Sequence, residues 1–184
     1  FLDKSLSYSS AFYENQDLIL EDAQNNKINR ILDLSKIKKG ESLLEIGSGW
    51  GALAIEAANR HLKVKTITLS KNQFSFVEEK IKNLNLNDSI NIAIQDYRDE
   101  RSRYDAVISC EMIEAVGKDF LSNYFEAIRD CLNQNGYAVI QAITIRDSDY
   151  EEYSKNCDWI QKYIFPGGHL PSLKSIKKHV KETE

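Results

Sequence analysis

Two spacings of apolar residues alternate along this chain. From Leu18 to Leu34, the residues Leu18, Ala23, Ile28, Ile31 and Leu32 recur at roughly helical intervals. That spacing predicts one or two helices, ending near a turn at Lys38-Lys39-Gly40. Short β-branched runs follow: Ser42 to Ile46, Val64 to Leu69 (VKTITL), Ile90 to Ile94 (INIAI), Tyr104 to Cys110 (YDAVISC) and Tyr137 to Ile145. Each reads as a strand, and YDAVISC has the near-continuous apolar character of a strand buried on both faces. Helical patterns separate them: Ala52 to Arg60, Lys71 to Leu84 behind an N-cap at Ser70, and Phe120 to Leu132. Asn135-Gly136 reads as a turn. Tyr150 to Ile164 reads as a further helix, stopped by Pro166-Gly167-Gly168.

Strands alternating with helices at this spacing imply βαβ units, and hence an α/β fold whose parallel sheet carries helices on both faces. The 184 residues fit one domain, with residues 1–40 as an N-terminal helical segment and 41–184 as the sheet-bearing part. There are no internal repeats. The closing stretch LKSIKKHVKETE is basic and amphipathic; it reads first as a solvated helix face and second as a membrane-surface contact.

Composition narrows the function. The chain is 42% hydrophobic and 28% charged, enough apolar material for a sizeable core. A net charge of -4 disfavours a nucleic-acid partner. No apolar run approaches the ~18 residues of a membrane span, and FLDKSLSYSS lacks the pattern of a signal peptide. Cys110, Cys131 and Cys157 are widely spaced and lack CxxC, so neither disulfides nor a zinc site is indicated, and a cytoplasmic location is expected.

The chemistry starts at LLEIGSGWGALA, residues 43–54. Gly47, Gly49 and Gly51 follow a strand and precede a helix, where ligands of open α/β sheets bind. Glycine lets backbone approach a ligand without a Cβ in the way. A structural turn would use glycine too, so the loop alone is weak. A dinucleotide site would place an acid at the end of the second strand, which here reads TLS; a P-loop would need Gly-Lys-Ser/Thr, which is absent. The acid instead precedes the loop, at Glu45. The pattern E-x-G-x-G-x-G resembles the first motif of class I methyltransferases, which bind S-adenosylmethionine.

Five further stretches sharpen the resemblance: SYSSAFY (7–13), TLSKNQ (68–73), QDYRD (95–99), SCEMIEAVG (109–117) and YIFPGGHLPS (163–172). Together they resemble the cyclopropane-fatty-acyl-phospholipid synthase family, which includes the mycolic acid cyclopropane synthases. The resemblance covers almost the whole chain. It implies a Rossmann-like fold and methyl transfer from S-adenosylmethionine to a cis double bond of a phospholipid acyl chain reached at the inner membrane surface. A cyclopropane ring then closes. It also implies a bound bicarbonate as proton acceptor, and leaves a homodimer open. An alkene is a poor nucleophile, so such a site must be dry, must stabilise a cation and must supply a base.

By this resemblance Tyr8, Ser9, Glu45, Gly47, Gly49, Leu69, Ser70 and Gln73 contact the cofactor's sulfonium, methionine and ribose parts. Asp96 meets the adenine amino group and Tyr97 the adenine ring. Residues 1–40 cover that site. Glu114 holds bicarbonate, together with backbone groups at Ser10 and Ile143 and with the side chain at Gln141. Ser10 stands where most relatives have cysteine. Gln141 stands where they have histidine; it can hydrogen-bond but carries no proton at neutral pH. The run Ile113-Glu114-Ala115 departs from the family's phenylalanine-glutamate-histidine. The family's site tyrosine, last two strands and substrate-covering segments are expected beyond Glu184.

Rival readings remain. The same scaffold serves small-molecule N-methyltransferases, and related enzymes leave a methyl branch rather than a ring. A non-catalytic cofactor-binding module is a further alternative, though retention of Glu114 argues against it. Without the resemblance, Glu111 and Glu114 read as solvated loop acids; with it, Glu111 reads as structural or near the cofactor. His169 is assigned no catalytic role. Trp50 is a candidate to pack under the cofactor. Trp159, Tyr163 and Phe165 read as core or as acyl-pocket wall.

Overall fold

The computed structural model describes residues 1–183. One helix, α1 (Leu20–Leu34), occupies the first periodic stretch. The alternating part then runs β1 (Ser42–Ile46), α2 (Ala52–Asn59), β2 (Lys63–Thr68), α3 (Lys71–Asn83), β3 (Ile90–Ile94), β4 (Tyr104–Cys110), α4 (Leu121–Asp130) and β5 (Leu132–Gln141). Ser70 caps α3 as expected, its hydroxyl accepting from the Gln73 N–H. All four strand pairings are parallel, in the order β3-β2-β1-β4-β5. The strand order therefore reverses between β1 and β4, and their carboxyl ends, at Ile46 and Cys110, frame the crevice where such sheets bind ligands.

Side-chain alternation in β1 decides which residues meet which layer. Leu43 joins Ile28, Leu32, Leu53 and Val77 beneath α1, α2 and α3. Leu44 and Ile46 join Leu121, Tyr124 and Phe125 beneath α4. Glu45 shares the face of Leu43, so its carboxylate is aimed at the α1 side and is buried there. Because α1 packs into the same core as the sheet, residues before Glu41 are part of the body that forms the site.

Three expectations about the last third are corrected. The fifth strand begins at Leu132 and ends at Gln141, not at 137–145. The Asn135-Gly136 turn lies inside it as an irregularity: Tyr104 pairs with Leu132 but Ala106 with Tyr137, and Asn135 adopts φ +68°. Ile145 keeps only an isolated bridge to Ser172. The helix expected over 150–164 is two, α5 (Tyr150–Tyr153) and α6 (Trp159–Tyr163). Asp158 breaks it by starting a new helix through a capping box with Gln161. Trp159, Tyr163 and Phe165 are 65%, 61% and 67% exposed, so they are not core.

The basic tail forms α7 (Leu173–Glu182). It is not solvated all round: Ile176 packs into the layer beneath α4, and the His179 ring stacks on Phe125 at 6.1 Å. Its four lysines stay exposed. Among the described residues no helix is long and apolar enough to cross a membrane.

Candidate active site

The loop after β1 turns sharply, with Gly47 at φ +92° and Gly49 at φ +48°, both in the left-handed region that favours glycine. A Cβ on Gly47 would lie 2.7 Å from Met112 Cγ. A Cβ on Gly49 would project toward Tyr8, 3.8 Å from Cε1. Two cavities meet over this loop. The larger, about 460 Å³, opens between the ends of β1, β2, β3 and β4, and Leu69, Ser70, Gln73, Asp96 and Tyr97 line it. The smaller, about 60 Å³, lies under the N-terminal strap and is lined by Ser9, Lys27, Glu45 and Ser48 among others. Tyr8, Gly47, Gly49, Cys110 and Glu111 line both, so they form one bent cleft.

At the larger end Leu69 is exposed, just past β2. Gln73 accepts from Thr68 Oγ1 at 2.8 Å and donates to Tyr8 Oη at 3.2 Å, which ties the strap to α3. Asp96 opens the turn after β3. Arg98 Nη2 and Nε donate to its two oxygens at 2.6 and 3.0 Å, and these hydrogen bonds lower its pKa. Tyr97 packs edge-on against Tyr124 at 5.6 Å and leaves part of its ring to the cleft. Trp50 packs edge-on against Phe76 of α3, at 5.2 Å, and lines the strap cavity.

At the smaller end Glu45 Oε2 accepts from Thr66 Oγ1 at 2.6 Å. The register that pairs Glu45 with Thr66 places both on one face. Burial raises the Glu45 pKa to about 8, opposed by the Thr66 hydrogen bond and by Lys27.

Beyond β4 the chain meets the strap and the end of β5. Glu111 adopts φ +50°, unusual for a residue with a side chain, and its N–H donates to Gln141 O at 2.8 Å. Its Oε1 accepts from Ser10 N–H at 2.8 Å and from Gln141 Nε2 at 2.9 Å. Gln141 Nε2 also donates to Ser10 O at 3.2 Å. Both partners of that amide only accept, which fixes its orientation. Glu114 Oε1 accepts from Ile143 N–H, while Glu114 O accepts from His169 N–H at 2.8 Å. Glu114 Oε2 and Gln141 Oε1 are buried and have no hydrogen-bond partner among the described residues. Burial raises the Glu114 pKa.

The residues expected at the cofactor line this cleft, whereas Ser10, Glu114, Gln141 and Ile143 line neither cavity; Glu111, which lines both, joins the two groups through its hydrogen bonds to Ser10 and Gln141. Glu111 deserves more weight than its sequence reading gave it, because it joins the strap to β5; the signal was an acid directly after a buried strand. Lys27, Gln24 and Arg98 were not singled out. For Lys27 the signal was a charge on the apolar stripe of α1, one turn from Ala23 and from Ile31. His169 is structural in its ring, which bonds Tyr150 Oη at 3.1 Å, while its N–H braces Glu114.

The reversal point, the thin loop and the cleft define a Rossmann-like domain of the class I S-adenosylmethionine-dependent methyltransferase type. Within that class the chain belongs to the mycolic acid cyclopropane synthetase family, whose model matches residues 1–184. It is 39% identical over 96% of its length to a tuberculostearic acid methyltransferase of Mycobacterium tuberculosis, of which it covers 43%. It is 35% identical over 95% of its length to the cyclopropane-fatty-acyl-phospholipid synthase of Escherichia coli, of which it covers 44%. Mycolic acid cyclopropane synthase CmaA1, solved with SAH and CTAB, superposes on the whole chain at TM-score 0.91 and 27% identity, with 68% of that chain covered. The chain thus spans about half the length of these curated relatives. Coclaurine N-methyltransferase, at 21% identity and TM-score 0.77, shares the fold.

Proposed function

We propose that the protein uses S-adenosylmethionine to alkylate the cis double bond of an unsaturated phospholipid acyl chain. The observation that carries this reading is Glu114: a half-buried carboxyl, one oxygen tied to Ile143 and the other buried and unpaired, in the turn whose residues Met112 and Ala115 line the glycine-loop cleft. The fit to the cofactor rests on the Gly47 and Gly49 backbone, where a side chain would meet Met112 or fill the cleft. Tyr8, Ser9, Leu69, Ser70 and Gln73 would hold the ribose and amino-acid parts, Asp96 and Tyr97 the adenine, and Glu45 the cationic end. Bound there, the cofactor would supply a sulfonium methyl; transfer to an alkene carbon would break its S–C bond, release S-adenosylhomocysteine and leave a carbocation that loses a proton.

The protein's part is to orient the acyl chain, exclude water and take that proton. Glu114 Oε2 takes it in this proposal. A carboxyl whose pKa burial has raised is a better base than an ordinary exposed one. Its negative charge would also stabilise the cation. Ile143 N–H and the His169 N–H keep it aimed. Bicarbonate does not fit as these groups stand. Its oxygens need N–H donors, yet Ser10 N–H and Gln141 Nε2 are bound to Glu111, and Ile143 N–H is bound to Glu114. The free atoms, Glu114 Oε2 and Gln141 Oε1, are acceptors, which could take its one O–H but leave its charged oxygens without donors. No proton step is therefore routed through an anion.

Loss of the proton from the added methyl closes a cyclopropane. Two relatives favour a second product, a methylene branch, formed if a hydride shifts to the neighbouring cationic carbon before the proton is lost, with a saturated methyl branch requiring a separate reductant: the tuberculostearic acid methyltransferase and a Pseudomonas putida relative called a probable fatty acid methyltransferase, 33% identical over 99% of this chain. The exposed Trp159, Tyr163 and Phe165 and the exposed α7 lysines support approach to an acyl chain from the membrane surface. Mass spectrometry of lipids from cells expressing the full-length protein tests the reading. A gain of one CH2 per unsaturated chain is expected, and catalytic hydrogenation separates ring from branch. Unaltered lipids alongside a methylated amine would replace it with N-methyl transfer.

A further inference from the structure

Lys27 lies on the buried face of α1 and is 7% exposed. Its Nζ donates to Ser9 Oγ at 2.7 Å. Among the described residues no carboxylate lies within ion-pair distance of it. An ammonium has three hydrogens to donate, and burying one costs several kcal/mol unless it is paired. This one therefore sits in a cavity wall with only a neutral hydroxyl as its named partner. The same wall carries Glu45 and Glu111. Lys27 is the one cation lining that cavity, and these are its two acids. Desolvation lowers the Lys27 pKa, while Cys110, Glu111, Asp3 and Glu45 oppose the shift.

The strap that completes this cavity is tied to the same helix. Gln24, one turn before Lys27 and 2% exposed, donates from Nε2 to Ser9 O at 2.9 Å and to Ser7 O at 3.3 Å. Phe12 N–H donates to Ala23 O at 3.1 Å, and Arg30 stacks over the Phe12 ring at 4.6 Å. The Ser9 backbone is therefore held by Gln24, and the strap by Phe12 as well, without Lys27. The Lys27 charge is surplus to that task.

We propose that Lys27, with the Ser9 hydroxyl, forms the carboxylate subsite for the amino-acid end of S-adenosylmethionine, opposite the acids Glu45 and Glu111. The assignment rests on the proposed function. The amino-acid end of the cofactor is a zwitterion beside a sulfonium: one anion and two cations. Across the glycine loop the cavity sets one cation, Lys27, for that anion against two carboxyl groups for the cationic side, of which burial keeps Glu45 largely protonated below about pH 8. Adenine at Asp96 and Tyr97 leaves the other end of the ligand to pass Gly47 and Gly49 and enter the cavity that Lys27 lines.

The test is a calorimetric cycle on the full-length protein with S-adenosylmethionine and its decarboxylated analogue, in wild type and Lys27→Met. Wild type should prefer the carboxylate-bearing cofactor by about 10- to 100-fold, the range of one charge-assisted hydrogen-bonded contact. In K27M that preference should collapse toward unity, with affinity for the analogue nearly unchanged. Lys27→Arg should recover part of it. Equal losses for both ligands in K27M would reduce Lys27 to a strap anchor and overturn the assignment. A wild-type protein that binds neither ligand would instead refute the cofactor reading itself. Thermal melts guard against misfolding; a variant with an unfolded baseline is replaced by Lys27→Gln, for which the same collapse of preference is expected.

Discussion

The Glu114 carboxylate accepts a hydrogen bond from the Ile143 backbone N–H and thereby ties the turn after β4 to the segment after β5. The two residues are 29 positions apart, and only parallel pairing of β4 with β5 brings them together. Glu114→Gln keeps the shape and can still accept from Ile143. It removes the proton acceptor. Affinity for S-adenosylmethionine should stay within about threefold while turnover falls at least ~100-fold, the usual scale for loss of a general base. Single-turnover kinetics and calorimetry check the pair, and a variant with near-normal turnover removes Glu114 from the chemistry.

The same carboxyl sets an acid limb on activity. Burial raises its pKa above the usual glutamate value, and it must be ionised to act. Rate should therefore fall as pH drops through that raised pKa, at a higher pH than an exposed glutamate would give. The acid limb should vanish from the residual activity of Glu114→Gln; its persistence there would assign it to another group.

Bicarbonate should have no effect on turnover. The N–H groups that would hold it are committed to Glu111 and Glu114. Assays in carbonate-stripped buffer under inert gas should match assays with added bicarbonate. A rate that rises with bicarbonate would mean those donors leave their carboxylates in the working enzyme.

Gly49→Val should abolish cofactor binding. Its Cβ would enter the shared part of the cleft, and φ +48° is costly for a β-branched residue, ~1–2 kcal/mol. A modest fall in Tm with affinity lost by 100-fold or more is expected. Unchanged affinity would detach the loop from the ligand.

Glu45 should make the folded protein less stable in alkali. Its pKa rises from 4.5 to about 8 on folding, so the fold binds this proton more tightly than the unfolded chain does. That contribution is fully present below pH 4.5 and is lost as pH rises through about 8. The change is on the order of 1–4 kcal/mol, allowing for relaxation and for Lys27. Urea unfolding at pH 6 and pH 9 should show it. Glu45→Gln, which can still accept from Thr66, should flatten the difference; an identical difference in both proteins would place the pKa near its ordinary value.

Much of this was legible in the residues themselves. The strand and helix order follows from local spacing and β-branching, so β1, β3 and β4 fall at their expected bounds and Ser70 caps its helix. The glycine loop and the acid before it were equally local signals. Tertiary structure decided what locality does not encode. Asp158 competes with its neighbours for the helix start and splits the stretch at 150–164; the apolar spacing there did not register that competition. Exposure of Trp159, Tyr163 and Phe165 depends on what packs over them. Glu111 and Gln141 are 30 positions apart and meet only once β4 pairs with β5, and Lys27 is 18 from Ser9 and meets it only once the strap folds back on α1. Sequence set the local conformations and the cofactor loop, because those depend on near neighbours. The partners of each buried charge came from chain topology, because a charge excluded from water takes whichever groups the fold brings within reach.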